Sequence, residues 1–277
     1  MKLIRFFMYI KKNGVSEGLK HLWRYMSQFS DLELYFIQKK REALAAEFVQ
    51  KYGHKVRHGH LTGTSLWEGD SRGNTDMPSM ILGFYEKEVL NTIIENKSEY
   101  TCFVNIGSAD GYYSVGLLKN NFFEHAICFE ISEHLREVTL DIAQKNDISK
   151  NLIVHGKATD NFTKVITNEG LVLSDCLILC DIEGGEFDIF TSQNLYKLRH
   201  SFIIIEIHDF LVENGHEKYE TLLDRCAPYF TIQEICTGSR DLSLFNEINL
   251  LPDTDRWLLC SEGRMQSMRW IVLKPLI

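Results

Sequence analysis

Short apolar runs that alternate with helical patterns are the feature that most constrains the fold of this chain. The runs are rich in β-branched residues and lie at 102–106, 126–130, 152–156, 176–183 and 202–208. Between them, residues 132–146 and 187–198 have apolar residues at helical spacing. Strands that alternate with helices predict parallel βαβ units in a doubly wound α/β sheet. The runs at 230–235 and 269–274 would close the sheet, with at least one of them antiparallel.

The first 78 residues are predicted to form a helical extension followed by a lid-like loop, with the main domain at 79–277. Up to residue 52, apolar residues at helical spacing predict two or three helices. Residues 1–60 contain twelve Lys and Arg against five Asp and Glu. The helices either pack on their own domain or, through residues 1–26, contact the inner face of an anionic membrane or an acidic partner.

Residues 53–78 are rich in Gly, Ser, Thr, Asp and His and show no periodicity, which predicts a loop. Long loops in compact proteins are often functional, so Trp67 and the histidines at 54, 58 and 60 are hypothesised to recognise a substrate. The histidines resemble metal ligands, but without a nearby Cys or a second cluster the preferred interpretation is solvated loop histidines.

The composition of the chain narrows the range of functions. A net charge of -8 over 277 residues argues against a nucleic-acid-coating protein, because neutralising phosphates requires a basic surface. The seven cysteines form no CxxC pair, and several lie in apolar runs, which favours reduced thiols and a cytoplasmic location. No apolar stretch is long enough to span a membrane. Nothing in the pattern specifies an oligomeric state.

A glycine turn follows the first predicted strand, and it is the strongest sign of a cofactor. The turn consists of Asn105, Ile106, Gly107, Ser108, Ala109, Asp110, Gly111 and Tyr112. Two glycines let a ligand approach the backbone at the carboxyl end of the strand, where open α/β sheets bind ligands. Glu130 ends the second strand, where its carboxylate can accept hydrogen bonds from both ribose hydroxyls of a nucleoside.

The glycine spacing favours S-adenosylmethionine over a dinucleotide. A dinucleotide motif that starts at Gly107 needs glycines where the chain has Ala109 and Tyr112. Asp110 also places an anion where a pyrophosphate would bind the helix N-terminus. S-adenosylmethionine lacks phosphate and has a sulfonium cation, so the acidic turn suits it. An NAD(P)-dependent oxidoreductase is the alternative, and a noncatalytic scaffold that docks through the basic helices is a third.

Ionisable residues also end the fourth and fifth strands. Asp181 and Glu183 follow one apolar run, and Glu206 and His208 end the next. Charged groups at apolar strand ends are costly unless they are solvated in a cleft or paired, so these four residues are predicted to line the site. Period-two alternation predicts that Asp181 and Glu183 share one face of their strand.

Several of these elements occur in the order seen in one enzyme family. They are GFYEKEV (83–89), FVNIGSADGYYS (103–114), Glu130, DIEGGEFDI (181–189) and IIIEIH (203–208). In this respect the chain resembles FkbM-type methyltransferases, a branch of the class I S-adenosylmethionine-dependent enzymes. The resemblance covers about residues 80–208. It implies a seven-stranded, mostly parallel Rossmann-like sheet of the class I methyltransferase type, and a sugar, polysaccharide or other small-molecule acceptor.

The resemblance also implies which residues bind the cofactor. The methionine part would lie along Gly107 to Gly111 and the ribose on Glu130, while Tyr85 and Glu86 would close over the cofactor. Ile131, Ala158 and Asp181 complete the expected contacts. The family usually has Asp or Glu in place of Asn105, so the chain departs from the pattern there.

Methyl transfer to a hydroxyl requires positioning and removal of a proton. His208 is the first choice for the general base, because histidine titrates near neutrality; the other interpretation is that it holds the turn at Asp209. Asp181 and Glu183 are expected either to contact cofactor and acceptor or, together with Glu206, to bind Mg²⁺, a hard cation that prefers carboxylates.

Overall fold

A single seven-stranded sheet organises the molecule, seen in a computed structural model that describes residues 15–69, 75–264 and 266–276, with side chains from residue 33 onward. The strands are β1 Cys102–Ile106, β2 His125–Phe129, β3 Leu152–His155, β4 Cys176–Cys180, β5 Phe202–Glu206, β6 Phe230–Cys236 and β7 Arg269–Pro275. Their order is β3-β2-β1-β4-β5-β7-β6. Strands β1 to β5 pair in parallel, and β7 is antiparallel to both β5 and β6. The predicted mostly parallel, Rossmann-like fold is confirmed.

Helices cover both faces of the sheet. They are α1 Val15–Tyr52, α2 Met77–Ile81, α3 Lys87–Asn96, α4 Tyr112–Lys119, α5 Glu133–Lys145, α6 Phe162–Asn168, α7 Glu186–Ile189, α8 Ser192–Lys197, α9 Gly215–Cys226 and α10 Asp253–Leu259. Side chains alternate between two apolar layers, so that Phe103 packs on one face of β1 and Val104 on the other. The chain reverses its winding direction between β1 and β4, and this switch point is where doubly wound sheets open a crevice.

From residue 15, the described part of the N-terminal extension is one long helix, whereas the sequence predicts two or three helices up to residue 52. No Gly or Pro interrupts residues 19–52, so α1 runs for 38 residues until Gly53, which has a φ of 73°. Near its end, α1 packs through Ala45 and Phe48 on the core, whereas the large side chains at 34–37 are exposed. The predicted membrane contact falls largely outside the described residues, since 1–14 and the side chains up to 32 are not described. None of the described helices is long and apolar enough to cross a bilayer.

Residues 77–96 form two helices, α2 and α3, with a break between them. Gly83 has a φ of 74°, and a Cβ there would lie 1.9 Å from the carbonyl oxygen of His58, so a side chain would clash. Glu86 is also left-handed, with a φ of 43°. The break turns Tyr85 and Glu86 toward the carboxyl ends of the strands. The predicted boundary between residues 78 and 79 falls within α2.

Residues 53–69 of the predicted loop are packed against the body of the protein, and Met77 and Pro78 at the end of that loop belong to α2. Lys55 and Ser65 form a β-bridge, and Leu61 is buried against Gly116 of α4. Arg57 and His58 lie 2.8 and 2.9 Å from the same Glu247 carboxylate oxygen, so the loop is fastened to the segment before α10.

Replacing Glu247 by Gln should weaken this attachment in a pH-dependent way. Although burial acts in the opposite direction, hydrogen bonds from Arg57 and His58 lower the pKa of Glu247 from 4.5 to about 2. Because the folded-state pKa is depressed, the ionised carboxylate stabilises the fold above pH 4.5, and this contribution disappears as the pH falls toward 2. We expect a loss of about 1–2 kcal/mol in unfolding free energy at pH 7 that shrinks below pH 4.5, measured by urea denaturation.

Glu137→Gln, an exposed substitution on α5, is the matched control and should change little at either pH. An equal loss for Glu247→Gln at pH 7 and pH 3 would contradict the charge-based explanation.

Candidate functional site

A cavity of about 1120 Å³ opens at the carboxyl ends of β1, β2, β4 and β5. Its wall includes the turns after these strands, the segments 85–86 and 157–160, and, before β7, Glu262, Arg264, Gln266 and Met268. This is the position expected for ligands in a doubly wound sheet. Of the predicted site residues, it brings together Tyr85, Glu86, Gly107, Ala109, Glu130, Ile131, Ala158, Asp181, Glu183, Glu206 and His208.

Gly107 makes the closest backbone approach in the site. Its φ is 85°, and a Cβ at this position would lie 1.7 Å from the carbonyl oxygen of Asp181. The turns after β1 and β4 therefore touch, and the Asp181 amide donates to the carbonyl of Ile106 at 2.8 Å. Only glycine fits here, so the contact with Asp181 explains why the turn after β1 has a glycine at this position.

Glu130 lies where the sequence predicts a ribose ligand. Its carboxylate accepts hydrogen bonds from the amides of Ala109 at 2.9 Å and Ser132 at 2.8 Å. These bonds fix the carboxylate beside the glycine turn, and each oxygen keeps a lone pair for a further donor. The next residue, Ile131, lines the cavity with 68 % of its surface exposed, an unusual position for a large apolar side chain.

Five predicted cofactor residues do not line the cavity. They are Asn105, Ser108, Asp110, Gly111 and Tyr112. Asn105 is buried and donates from its side chain to Ser114 at 3.1 Å. A carboxylate oxygen of Asp110 accepts from the Tyr112 amide at 3.3 Å, so an anion already occupies the N-terminus of α4. In the structure they shape the turn and the core beneath it, and their contact with a cofactor stays a prediction.

Asp181 and Glu183 lie in a turn, because β4 ends at Cys180. The prediction that they share a strand face is wrong; Glu183 has a φ of 53° and its side chain is 72 % exposed. The Nε2 atom of His208 lies 3.6 Å from a carboxylate oxygen of each, and 4.0 Å from Glu206 Oε1. These four residues form the carboxylate–histidine cluster.

Glu186 holds the turns after β4 and β5 together from the core. Its side chain is fully buried, and its carboxylate accepts from the amides of His208 and Gly184, both at 2.9 Å. His208 Nδ1 lies 3.6 Å from the same carboxylate, too far for a hydrogen bond. Burial acts to lower the pKa of His208, but the charges of Glu186, Asp181 and Glu183 outweigh it and raise that pKa above 6.5.

Arg264 pairs with three acids of the site, and it was not predicted from the sequence. Its guanidinium contacts Glu86, Glu206 at 3.0 Å and Glu262 at 3.1 Å. Despite this partner, burial and the charges of Asp181 and Glu86 raise the pKa of Glu206 from 4.5 to about 10. Arg264 follows no motif and lies 58 residues after Glu206, so no sequence pattern pointed to it.

The cavity is strongly acidic. Nine carboxylate side chains line it, against Lys157 and Arg264. The acids are Asp76, Glu86, Glu130, Asp160, Asp181, Glu183, Asp188, Glu206 and Glu262. A field of this sign favours a cationic ligand and repels phosphates. The predicted substrate-recognition residues Trp67, His54, His58 and His60 lie outside this lining.

No family model matches the chain, and no curated protein matches it in sequence. Solved structures of similar fold include the O-methyltransferase TomG from Streptomyces achromogenes in complex with SAM, at 8 % identity and a TM-score of 0.49 over 76 % of this chain and 92 % of that one. An O-methyltransferase from Bacillus cereus in complex with SAH has 11 % identity and a TM-score of 0.46 over 68 % and 80 %. The M1A22 tRNA methyltransferase of B. subtilis has 12 % identity and a TM-score of 0.42 over 67 % and 64 %.

Gly107→Ala should damage both the fold and the site, since the new methyl group would overlap the Asp181 carbonyl. We expect a loss of about 3 kcal/mol or more in unfolding free energy, measured by urea denaturation. Gly156→Ala is the matched control, because no atom lies within 4 Å of the added Cβ, and its effect should stay within about 0.5 kcal/mol. Equal stabilities of the two variants would refute the steric account.

Proposed function

We propose that the protein is an S-adenosylmethionine-dependent methyltransferase that methylates a hydroxyl of a sugar, polysaccharide or related acceptor. The observation that carries the proposal is Glu130, fixed by two backbone amides beside the Gly107 turn and facing a cavity of cationic preference. The ordered motifs that resemble FkbM-type methyltransferases support the same assignment.

The site discriminates against the dinucleotide alternative. A pyrophosphate needs free amides at a helix N-terminus, and here Asp110 already accepts from the Tyr112 amide. The ionised acids of the lining would also repel its two negative charges. The sulfonium and ammonium groups of S-adenosylmethionine are attracted by the same field.

The lining residues suggest how the nucleoside lies. Ile131 and Ala158 offer apolar surface for the adenine ring, and Glu130 offers acceptors to the ribose hydroxyls. The amino-acid part is then directed toward Gly107 and Glu86, and the methyl group toward the carboxylate–histidine cluster. Asn105 is bonded to Ser114 below the turn, so the missing acid of the family pattern is offset by acids elsewhere in the cavity.

S-adenosylmethionine supplies an electrophilic methyl group whose bond to sulfur breaks as the bond to the acceptor oxygen forms. The sulfur keeps the electron pair and becomes neutral, while the acceptor hydroxyl loses its proton. The carboxylate–histidine cluster is placed to orient that hydroxyl and to receive the proton, with His208 and Glu183 as the basic groups. Mg²⁺, expected from the carboxylates, would lie at the same end of the cavity.

The cofactor assignment is tested by calorimetric titration with S-adenosylmethionine. We expect saturable binding to the wild-type chain and at least about tenfold weaker binding to Glu130→Gln, which keeps the shape of the side chain but weakens its acceptors. Glu137→Gln should bind as the wild type does. Binding of NADH in place of S-adenosylmethionine, or an unaffected Glu130→Gln variant, would exclude the proposed site.

The acceptor is tested with S-adenosylmethionine that has a tritiated methyl group. Incubation with isolated glycans should give label that resists mild alkali, because methyl ethers are stable where methyl esters hydrolyse. His208→Gln should bind the cofactor with wild-type affinity and transfer at least about a hundredfold less label. Alkali-labile label would indicate carboxyl methylation and would overturn the hydroxyl assignment.

A further inference from the structure

We infer that Asp181, Glu206 and His208 bind a divalent first-row transition ion, with His208 as a direct nitrogen ligand. One potential ligand atom from each residue lies within 4.8 Å of the others. At metal–ligand distances of about 2.1 Å, ligands of a six-coordinate ion are separated by about 3 to 4.2 Å. The distances of 3.6 and 4.0 Å from His208 Nε2 to Asp181 and Glu206 fall within that span.

The side chain of His208 points to a missing partner. It is 4 % exposed; its Nδ1 lies 3.6 Å from Glu186, and Nε2 is the ring nitrogen that faces the carboxylates of the cluster. The carboxylates nearest to Nε2 are 3.6 Å away, beyond hydrogen-bonding distance. A buried imidazole that is surrounded by acids but bonded to none is arranged as a ligand whose ion would lie between them.

The charge around the cluster favours the same conclusion. Glu206 is 2 % exposed, and Asp181 and Glu183 are its neighbours around His208. Arg264 is the nearest fixed cation, but Glu86 and Glu262 share its single charge. Glu206 is shielded from water, and a cation between Glu206 and the partly exposed Asp181 would offset the cost of that burial.

The donor set indicates which ion fits. Two carboxylates and one imidazole combine oxygen ligands that suit Mg²⁺ and Mn²⁺ with a nitrogen ligand that suits transition metals. Mn²⁺ satisfies both preferences, so the inference replaces the all-oxygen set of Asp181, Glu183 and Glu206 expected from the sequence. With Nε2 on the ion, His208 does not receive the acceptor proton, and Glu183, which is not a ligand, remains as the base of the carboxylate–histidine cluster. Three protein ligands leave open positions for the acceptor hydroxyl, whose proton a bound cation makes easier to remove. This last role depends on the proposed function, whereas the binding of the ion does not.

The test uses the full chain, freed of metal with a chelator and titrated with MnCl₂ without S-adenosylmethionine. Electron paramagnetic resonance of free Mn²⁺ should show one saturable site per chain. Electron spin echo modulation should show a coupled ¹⁴N nucleus from the imidazole, and His208→Gln should lose it. Mg²⁺ should compete only weakly.

Asp181→Asn and Glu206→Gln should bind Mn²⁺ at least about tenfold more weakly, with folding verified by thermal denaturation. Asp188→Asn, which removes a carboxylate from the same cavity but outside the cluster, is the matched control and should keep the wild-type affinity. The inference is overturned by the absence of saturable binding up to roughly 1 mM, by unchanged binding in both cluster variants, or by an ¹⁴N signal missing from the wild type. Mn²⁺ binding without S-adenosylmethionine binding would refute the proposed function alone.

Discussion

The contact between the backbones after β1 and β4 determines the geometry of the whole site. Gly107 can lie against the Asp181 carbonyl because it has no side chain, and this contact brings the cofactor turn and the carboxylate–histidine cluster into one cavity. Glu130 then fixes the first turn from the side of β2, and Glu186 fixes the second from below. The site is thus a set of loops held by backbone contacts and buried carboxylates, which is how doubly wound sheets position their chemistry.

The balance of charge is the second constraint. Nine acids around one cavity would repel one another, and Arg264 relieves part of this repulsion by joining segments from three regions of the chain. Tyr113 adds a neutral partner, since its hydroxyl donates to Glu86 at 2.6 Å. The negative charge that remains uncompensated gives the cavity its preference for cations. Unfavourable repulsion between like charges of this kind is typical of functional sites.

The sequence predicts the sheet well, because β-branched runs and glycine turns reflect local sterics. Gly107 and Glu130 could be assigned from spacing alone, as both belong to one βαβ unit. The end of β4 could not be predicted, because the apolar run at 176–183 contains no residue that marks the start of the turn. Asp181 and Glu183 lie in that turn. Arg264 was also out of reach, because its role depends on contacts across 58 residues or more that no periodicity encodes. Long-range electrostatic contacts are the part that required the three-dimensional structure.

The strand order has a consequence for how the protein is made. β7 is inserted between β5 and β6, although it is synthesised after both. Strand β6 has no other partner in the described sheet, so it cannot join before β7 leaves the ribosome. Arg264 precedes β7 by a few residues and reaches its three carboxylates at the same stage. A nascent chain therefore has its glycine turn and parallel strands early, but its acidic cavity remains incomplete until synthesis has passed β7. Between these two stages the chain exposes an unpaired strand edge and uncompensated negative charge.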